Sequence, residues 1–495
     1  MAERPAPAAD AGSFRDPSGV VLIAQGRVFR TIEETAWKHV DAVRSSGILD
    51  RLVSSGQVVA TWPIELADAP AGLTDGLPQN ARRLVEHDRI PFISYPYEWP
   101  FSLLKRAAVH HLDLHLELLN SGFTLSDASA YNIQFRGTRP VFIDILSIVP
   151  YREGEYWAGY RQFCEQFLNP LLLVAKTGIP HHAWFRGTLE GIPVEDMARV
   201  LPLRARISWR VLIHVVLHAR MTAYSRRANA AVGDAASKVG RRPMSKAVLV
   251  WMLSGLRNWV VGLRPRGTDR TVWGNYEQNT SYTPGETEAK RAFITRYVET
   301  RKPTELFDIG CNTGAYSEAA LSAGAGRVIG FDFDQGALES AVARADDKRL
   351  EFLPLFLDAM NPSPDQGWAQ RERRGFRDRA SADGLLALAV LHHLVIGRNV
   401  AMAQAVEWLL ALAPSGVIEF VPKQDPMVQR MLAHREDIFP NYHIDAIRHE
   451  LARRGRIVSE QTVSSSGRTL FEFQRERGDG RRDASEMMRP CPRHA

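Results

Sequence analysis

The chain has 495 residues, 45% of them apolar and 24% charged, so at roughly 150 residues per domain it predicts about three compact units and excludes a single small module. Its 62 basic residues exceed the 56 acidic ones by only six, which permits nucleic-acid binding without demanding it. Three scattered cysteines, Cys164, Cys311 and Cys491, exclude a disulfide framework and a thiolate zinc site, and no metal centre is expected.

The start, MAERPAPAADAGSFRDPSG, is rich in Pro and Ala and lacks the apolar core of an export signal. It predicts a disordered tail over residues 1–17 and a cytoplasmic protein. GVVLIAQGRVFRTI then reads as two short strands around Gly26. Between Pro100 and Arg227 apolar residues return at helical spacing, as in Leu103, Leu104, Ala107, Ala108, His111, Leu112, Leu114 and Leu118, so a mostly helical region is expected. The small, polar run NAAVGDAASKVGRRPMS, 229–245, has no apolar period and reads as a linker. The most apolar stretch, Val248 to Leu263, is interrupted by Arg257 and Asn258; no spanning helix and no membrane partner are expected. From Thr304 onward the runs TELFDI, GRVIGFD, LEFLPLF, DGLLALAV and GVIEFV alternate with helical stretches, the pattern of a parallel sheet covered on both faces. Hydrophobicity stops after Gln474. The expected organisation is a first domain over 18–228, a linker and connecting helix over 229–268, a second domain over 269–474 and a disordered basic tail over 475–495.

LFDIGCNTGAYSEAA, Leu306 to Ala320, carries the most chemistry. A strand carries Asp308 near its end, a turn bearing Gly310 and Gly314 follows, and a helix begins near Ala315. Glycine at these positions allows a tight turn and close ligand approach to backbone N–H groups. The second strand ends in Asp332, where a carboxylate can accept both ribose hydroxyls, and the third is followed by Asp358, within reach of an adenine amino group. Three carboxylates thus fall at the ends of three successive strands, the edge where open α/β sheets bind ligands. Asn312 stands where the dinucleotide fingerprint has glycine, so the ligand should lack a pyrophosphate.

These residues resemble the class I S-adenosylmethionine-dependent methyltransferases over about Trp273 to Gln474. The resemblance implies a Rossmann-like α/β domain binding S-adenosyl-L-methionine through Asp308, Gly310, Asn312, Gly314, Asp332 and Asp358, closed by the antiparallel strands RIVSEQTV and TLFEFQ. More narrowly, TVWGNYEQNTSYTPGETEAKRAF, ALAVLHHLVIGRNV and IEFVPKQDPMV are similar to a bacterial subfamily related to nodulation-type methyltransferases, in which Trp273, Tyr276 and Tyr282 would form an aromatic wall beside the cofactor. His392 and His393 follow the fourth strand at the mouth of the implied cleft. Either has a suitable pKa for a base, and strand parity favours His393. Glu419, Lys423 and Asp425 are further candidates on the acceptor side.

The first half contains LSDASAYNIQFRGTRPVFID, with Asp127, Asn132 and Asp144 five and twelve residues apart around a short hairpin. Phosphoryl transfer needs a base and Mg²⁺ ligands to converge in this way, and residues 19–227 resemble an α+β, mostly helical protein-kinase-like domain with ISYPYEWP as the linker between lobes. One glycine in the first hairpin and no V-A-I-K segment make phosphate grip poor, so a degenerate kinase-like scaffold is expected. The reading is methyl transfer to a small molecule or glycan, favoured as O-methylation. Phosphotransfer by the first domain, RNA methylation and a purely binding role stay as alternatives, with a basic row at Arg371 to Arg379 needed for RNA.

Overall fold

A computed structural model describes residues 8–70, 73, 81–222, 243–268, 283–433 and 435–475. Two compact units emerge: one spans Met1–Asn279, Cys311–Glu318 and Arg327–Ala380, the other Thr280–Gly310, Ala319–Gly326 and Ser381–Ala495.

In the first unit, β1 (Ala8–Ala9), β2 (Val21–Ala24), β3 (Arg27–Glu33), β4 (Thr61–Ile64) and β5 (Ala81–His87) form an antiparallel sheet in the order β1-β2-β3-β5-β4. The β2–β3 turn places Gln25 and Gly26 at φ of 52° and 78°, the doubly left-handed geometry whose twist matches a tight hairpin. Ordered structure begins earlier than the expected end of the tail: Ala8–Ala9 pair with β2 and Ala11–Ser13 make a helical turn capped by Asp10. The helix Phe101–Asn120 buries Leu104, Ala107, Ala108, His111, Leu112 and Leu118, the spacing of one helical face. After it come β6 (Phe123–Leu125), β7 (Ile133–Arg136), β8 (Arg139–Phe142) and β9 (Ile148–Pro150), with β7 and β8 forming the expected hairpin and β6 pairing with β9.

The C-terminal region supplies strands to both units. β10 (Glu305–Ile309) belongs to the second, whereas β11 (Arg327–Asp332) and β12 (Phe352–Phe356) pair in parallel in the first around the connecting helix Gln335–Asp347. In the second unit β10 pairs in parallel with β13 (Gly384–Ala387), and β13 with β14 (Ser415–Phe420). The closing strands β15 (Arg456–Thr462) and β16 (Thr469–Gln474) are antiparallel, with β16 against β14. Parallel strands joined by helices and ended by an antiparallel hairpin are the Rossmann-like methyltransferase architecture. One strand departs from expectation. The DGLLALAV strand ends at Ala387, Ala389 takes a φ of 54°, and His393 opens a π-helical turn, so His392 and His393 do not continue a strand and their parity argument lapses.

Helix Phe101–Asn120 also packs on helix Gln335–Asp347, within the first unit. The Ser102 backbone N–H donates to Glu339 Oε1 at 3.0 Å, Arg106 Nη1 to Asp346 Oδ1 at 2.7 Å and Thr138 Oγ1 to the same carboxylate at 2.6 Å. Farther along the chain Arg379, its side chain buried, donates to the Ile93 carbonyl at 2.6 Å, pairs with Glu98 and lies 4.4 Å from the Tyr95 ring centre.

Candidate functional site

The turn after β10 needs left-handed backbone at three positions: Gly310 at φ 74°, Asn312 at 50° and Gly314 at 80°. Asparagine is among the few residues that tolerate this region, which explains how it stands in the place of a glycine. A Cβ on Gly314 would come within 2.5 Å of the Phe352 ring, and one on Gly310 within 2.5 Å of Val390. Both glycines are therefore fixed by conformation and by space.

Asp332, at the end of β11, accepts the Asn312 backbone N–H at 2.8 Å on one oxygen and that of Asp334 at 2.9 Å on the other. Burial raises its pKa above the ordinary carboxylate range, although these two donors pull the other way. The carboxylate thus ties the turn to the β11 end and stands beside its backbone. Asp334 then caps the helix Gln335–Asp347, accepting from the Gly336 and Ala337 N–H groups. After β12, Asp358 accepts the Met360 N–H at 3.0 Å. Phe333, Asp334, Phe356 and Asp358 line a cavity of about 560 Å³ together with His182 and Arg186. His182 stacks on Phe356 at 4.0 Å between ring centres and contacts Gln335 Oε1 and the Tyr97 carbonyl. Burial pushes its pKa down to about 4, so this imidazole is neutral.

In the second unit, Asp308 is buried in β10. A buried charge group lies nearby: Lys290 Nζ donates to Glu419 Oε2 at 2.7 Å, Arg468 lies 3.8 Å from the same carboxylate, and Arg468 Nε and Nη2 donate to Asp425 at 2.7 and 2.9 Å. Burial draws the Lys290 pKa below its ordinary value despite Glu419. Asp425 also caps the helix Pro426–Leu432. Lys423, by contrast, is spent on an ion pair with Asp437. Sequence reasoning singled out Glu419 and Asp425 but missed Lys290 and Arg468. The signal for Lys290 was available: it occupies the stripe of Phe293, Ile294 and Tyr297, where an apolar side chain belongs. Nothing comparable marked Arg468.

His392 is fully buried, with no hydrogen-bond partner for either ring nitrogen among the described residues, while His393 is half-buried and 4.1 Å from it between ring centres. Burial first, then the charge of Arg468, pushes His393 down to about 4. His392 falls further below its ordinary value, through burial first and then the neighbouring His393, Arg468 and Lys290. Trp273, Tyr276 and Tyr282 lie outside the described residues.

Asp127, Asn132 and Asp144 do come together in the first unit. Asn132 Nδ2 stands 3.1 and 3.2 Å from the Asp127 oxygens and 3.4 Å from Asp144 Oδ2. Burial and then Asp144 push the Asp127 pKa up to about 6. Burial acts on Asp144 in the same direction but is outweighed by Arg30, which donates to it at 2.6 Å and also pairs with Asp16, so its pKa falls. Three of the five arginines of the basic row are likewise engaged: Arg373 sits 4.1 Å from the Tyr131 ring centre, Arg374 pairs with Asp10, and Arg379 with Glu98.

Residues 307–418 match the family model described as a methyltransferase domain. Over 475 residues, 96% of this chain and 98% of the relative, the sequence is 44% identical to nodulation protein NoeA of Rhizobium meliloti (strain 1021). Among solved structures, N-methyltransferase NodS from Bradyrhizobium japonicum WM9 in complex with S-adenosyl-L-homocysteine is 16% identical, covering 40% of this chain and 90% of that one with a TM-score of 0.29. Magnesium protoporphyrin IX methyltransferase (ChlM) from Synechocystis PCC 6803 with bound SAM is 15% identical, covering 45% and 92% with a TM-score of 0.28.

Proposed function

Because the chain belongs to the family of nodulation protein NoeA and is an S-adenosylmethionine-dependent methyltransferase, we propose that it O-methylates a small molecule or glycan, with Asp308, Gly310, Asn312, Gly314, Asp332 and Asp358 holding the cofactor and His393 taking the proton. The bond between Asp332 and the Asn312 N–H carries the cofactor assignment. It fixes a half-buried carboxylate beside the left-handed backbone of Asn312, an arrangement suited to accepting vicinal ribose hydroxyls. Phe333, exposed, and Asp358, both in the lining of the adjoining cavity, suit the adenine end.

The choice of oxygen rests on acidity. An amine acceptor is protonated at neutral pH, with a pKa of about 8–10, and an imidazole near 4 could not take its proton effectively. A neutral hydroxyl needs no prior deprotonation. It becomes strongly acidic as the oxygen–carbon bond forms, so a weak, neutral base within reach suffices. The bound sulfonium supplies an activated methyl group; the chain's part is to position the hydroxyl and receive its proton. The engaged arginines Arg373, Arg374 and Arg379 speak against an RNA backbone as acceptor.

The test is titration calorimetry with S-adenosylhomocysteine. Asp332→Ala should bind about ten- to hundredfold more weakly, as expected for losing hydrogen bonds to a charged acceptor of about 1.5–3 kcal/mol. Affinity equal to wild type would remove Asp332 from the site.

For the first domain we propose a kinase-like scaffold without phosphotransfer. Its support is Arg30, whose guanidinium already neutralises Asp144, the residue a metal ion would need. Full-length protein should show no saturable thermal shift with MgATP at millimolar concentration. A shift that saturates and is lost in Asp144→Asn would reinstate the phosphotransferase.

A further inference from the structure

Residues 200–221 and the helix Lys246–Gly262 expose apolar side chains in a pattern that folding alone does not call for. In the turns Trp209–Val211 and Leu212–Leu217, Val211 and Val215 are buried, while Trp209, Leu212, Ile213 and Leu217 face solvent. The helix is apolar on both sides, where a surface helix normally turns polar residues outward. Ile207 is 81% exposed just before it, and Trp251, 73% exposed, projects with Val248 from the helix Lys246–Gly262. The two segments touch where the His214 and Trp259 rings lie 5.6 Å apart.

Charge identifies what such a face fits. Residues 201–222 and 243–268 contain no Asp or Glu at all in 48 residues, where the chain's average density would place about five. They carry Arg204, Arg206, Arg210, Arg220, Lys246, Arg257, Arg264 and Arg266. Arg257 is held by Asp113, but exposed tryptophan and branched aliphatic side chains beside the remaining basic residues are suited to the boundary between acyl chains and anionic headgroups. A second copy of this chain is a poor occupant, since a two-fold contact would set the basic face against itself.

We propose that this face rests on an anionic lipid surface, lying in the headgroup region. No helix among the described residues is long and apolar enough to cross a membrane, which agrees with lying on the bilayer. The sequence expectation of no membrane partner weighed only spanning segments and is revised by this reading. The proposal is independent of which acceptor is methylated.

Flotation of the full-length protein with vesicles tests it. Wild type should partition onto phosphatidylcholine vesicles containing phosphatidylglycerol and not onto phosphatidylcholine alone, with release at high salt. Each arginine near such a surface contributes about fivefold, so Arg204→Gln/Arg210→Gln should partition about 25-fold less, and Ile207→Ser/Ile213→Ser about tenfold less, both with an unchanged thermal midpoint. No wild-type partition, or equal partition of wild type and both variants, overturns the proposal. So does a concentration-dependent dimer in lipid-free solution that Ile207→Ser/Ile213→Ser dissociates, which would assign the face to a second copy.

Discussion

Lys290→Met is expected to lower the unfolding free energy by about 3–5 kcal/mol, the usual cost of removing one partner of a buried ion pair. Both members are shut away from solvent, and the Lys290 ammonium meets Glu419 at 2.7 Å. Without it Glu419 loses its 2.7 Å cation, and Arg468, 3.8 Å away, is also committed to Asp425. Denaturant unfolding of the full chain measures the loss. The paired variant Lys290→Met/Glu419→Leu should recover much of it, because an apolar pair leaves no buried charge behind. Loss below about 0.5 kcal/mol in Lys290→Met would mean that the pair contributes no more than an exposed one.

His393→Asn should reduce turnover about a hundredfold at saturating cofactor, the typical contribution of a positioned proton acceptor. His392→Leu should retain turnover within a few fold, since this ring is buried without hydrogen-bond partners among the described residues and an apolar side chain of similar size suits its place. The pH dependence has a definite sign. With its pKa lowered to about 4, His393 is neutral and competent throughout pH 5–8. Turnover should therefore be flat with respect to this group there and fall only as pH approaches 4. Near wild-type turnover in His393→Asn would leave positioning alone to carry the reaction.

The strands of the C-terminal region were legible because each run of apolar residues is bounded by turn chemistry, and because Asp308, Asp332 and Asp358 stand where strands give way to loops. The break after Ala387 was not legible: LLALAV is uniformly apolar, and only tertiary packing sends Ala389 into left-handed backbone. The pairing of Lys290 with Glu419 joins residues 129 apart, beyond the reach of any local pattern. The convergence of Asp127, Asn132 and Asp144 was readable from spacing, whereas Arg30 on Asp144 was not, since a strand arginine looks like any solvated cation until its partner is known. The exposed face around Trp209 was hidden by the same logic. Apolar residues at helical spacing announce a helix but do not say which side is covered.

The junction of helix Phe101–Asn120 with helix Gln335–Asp347 bears on how the chain is inherited and how it melts. Glu339 and Asp346, on the second of these helices, find their donors in Ser102, Arg106 and Thr138 of the first half. A methyltransferase cut out at residue 269 would carry these carboxylates without their partners and would bare the face of Phe356 that His182 covers. The two halves recognised in the sequence therefore share a cooperative unit across this junction, one that neither duplication nor shuffling can separate without cost.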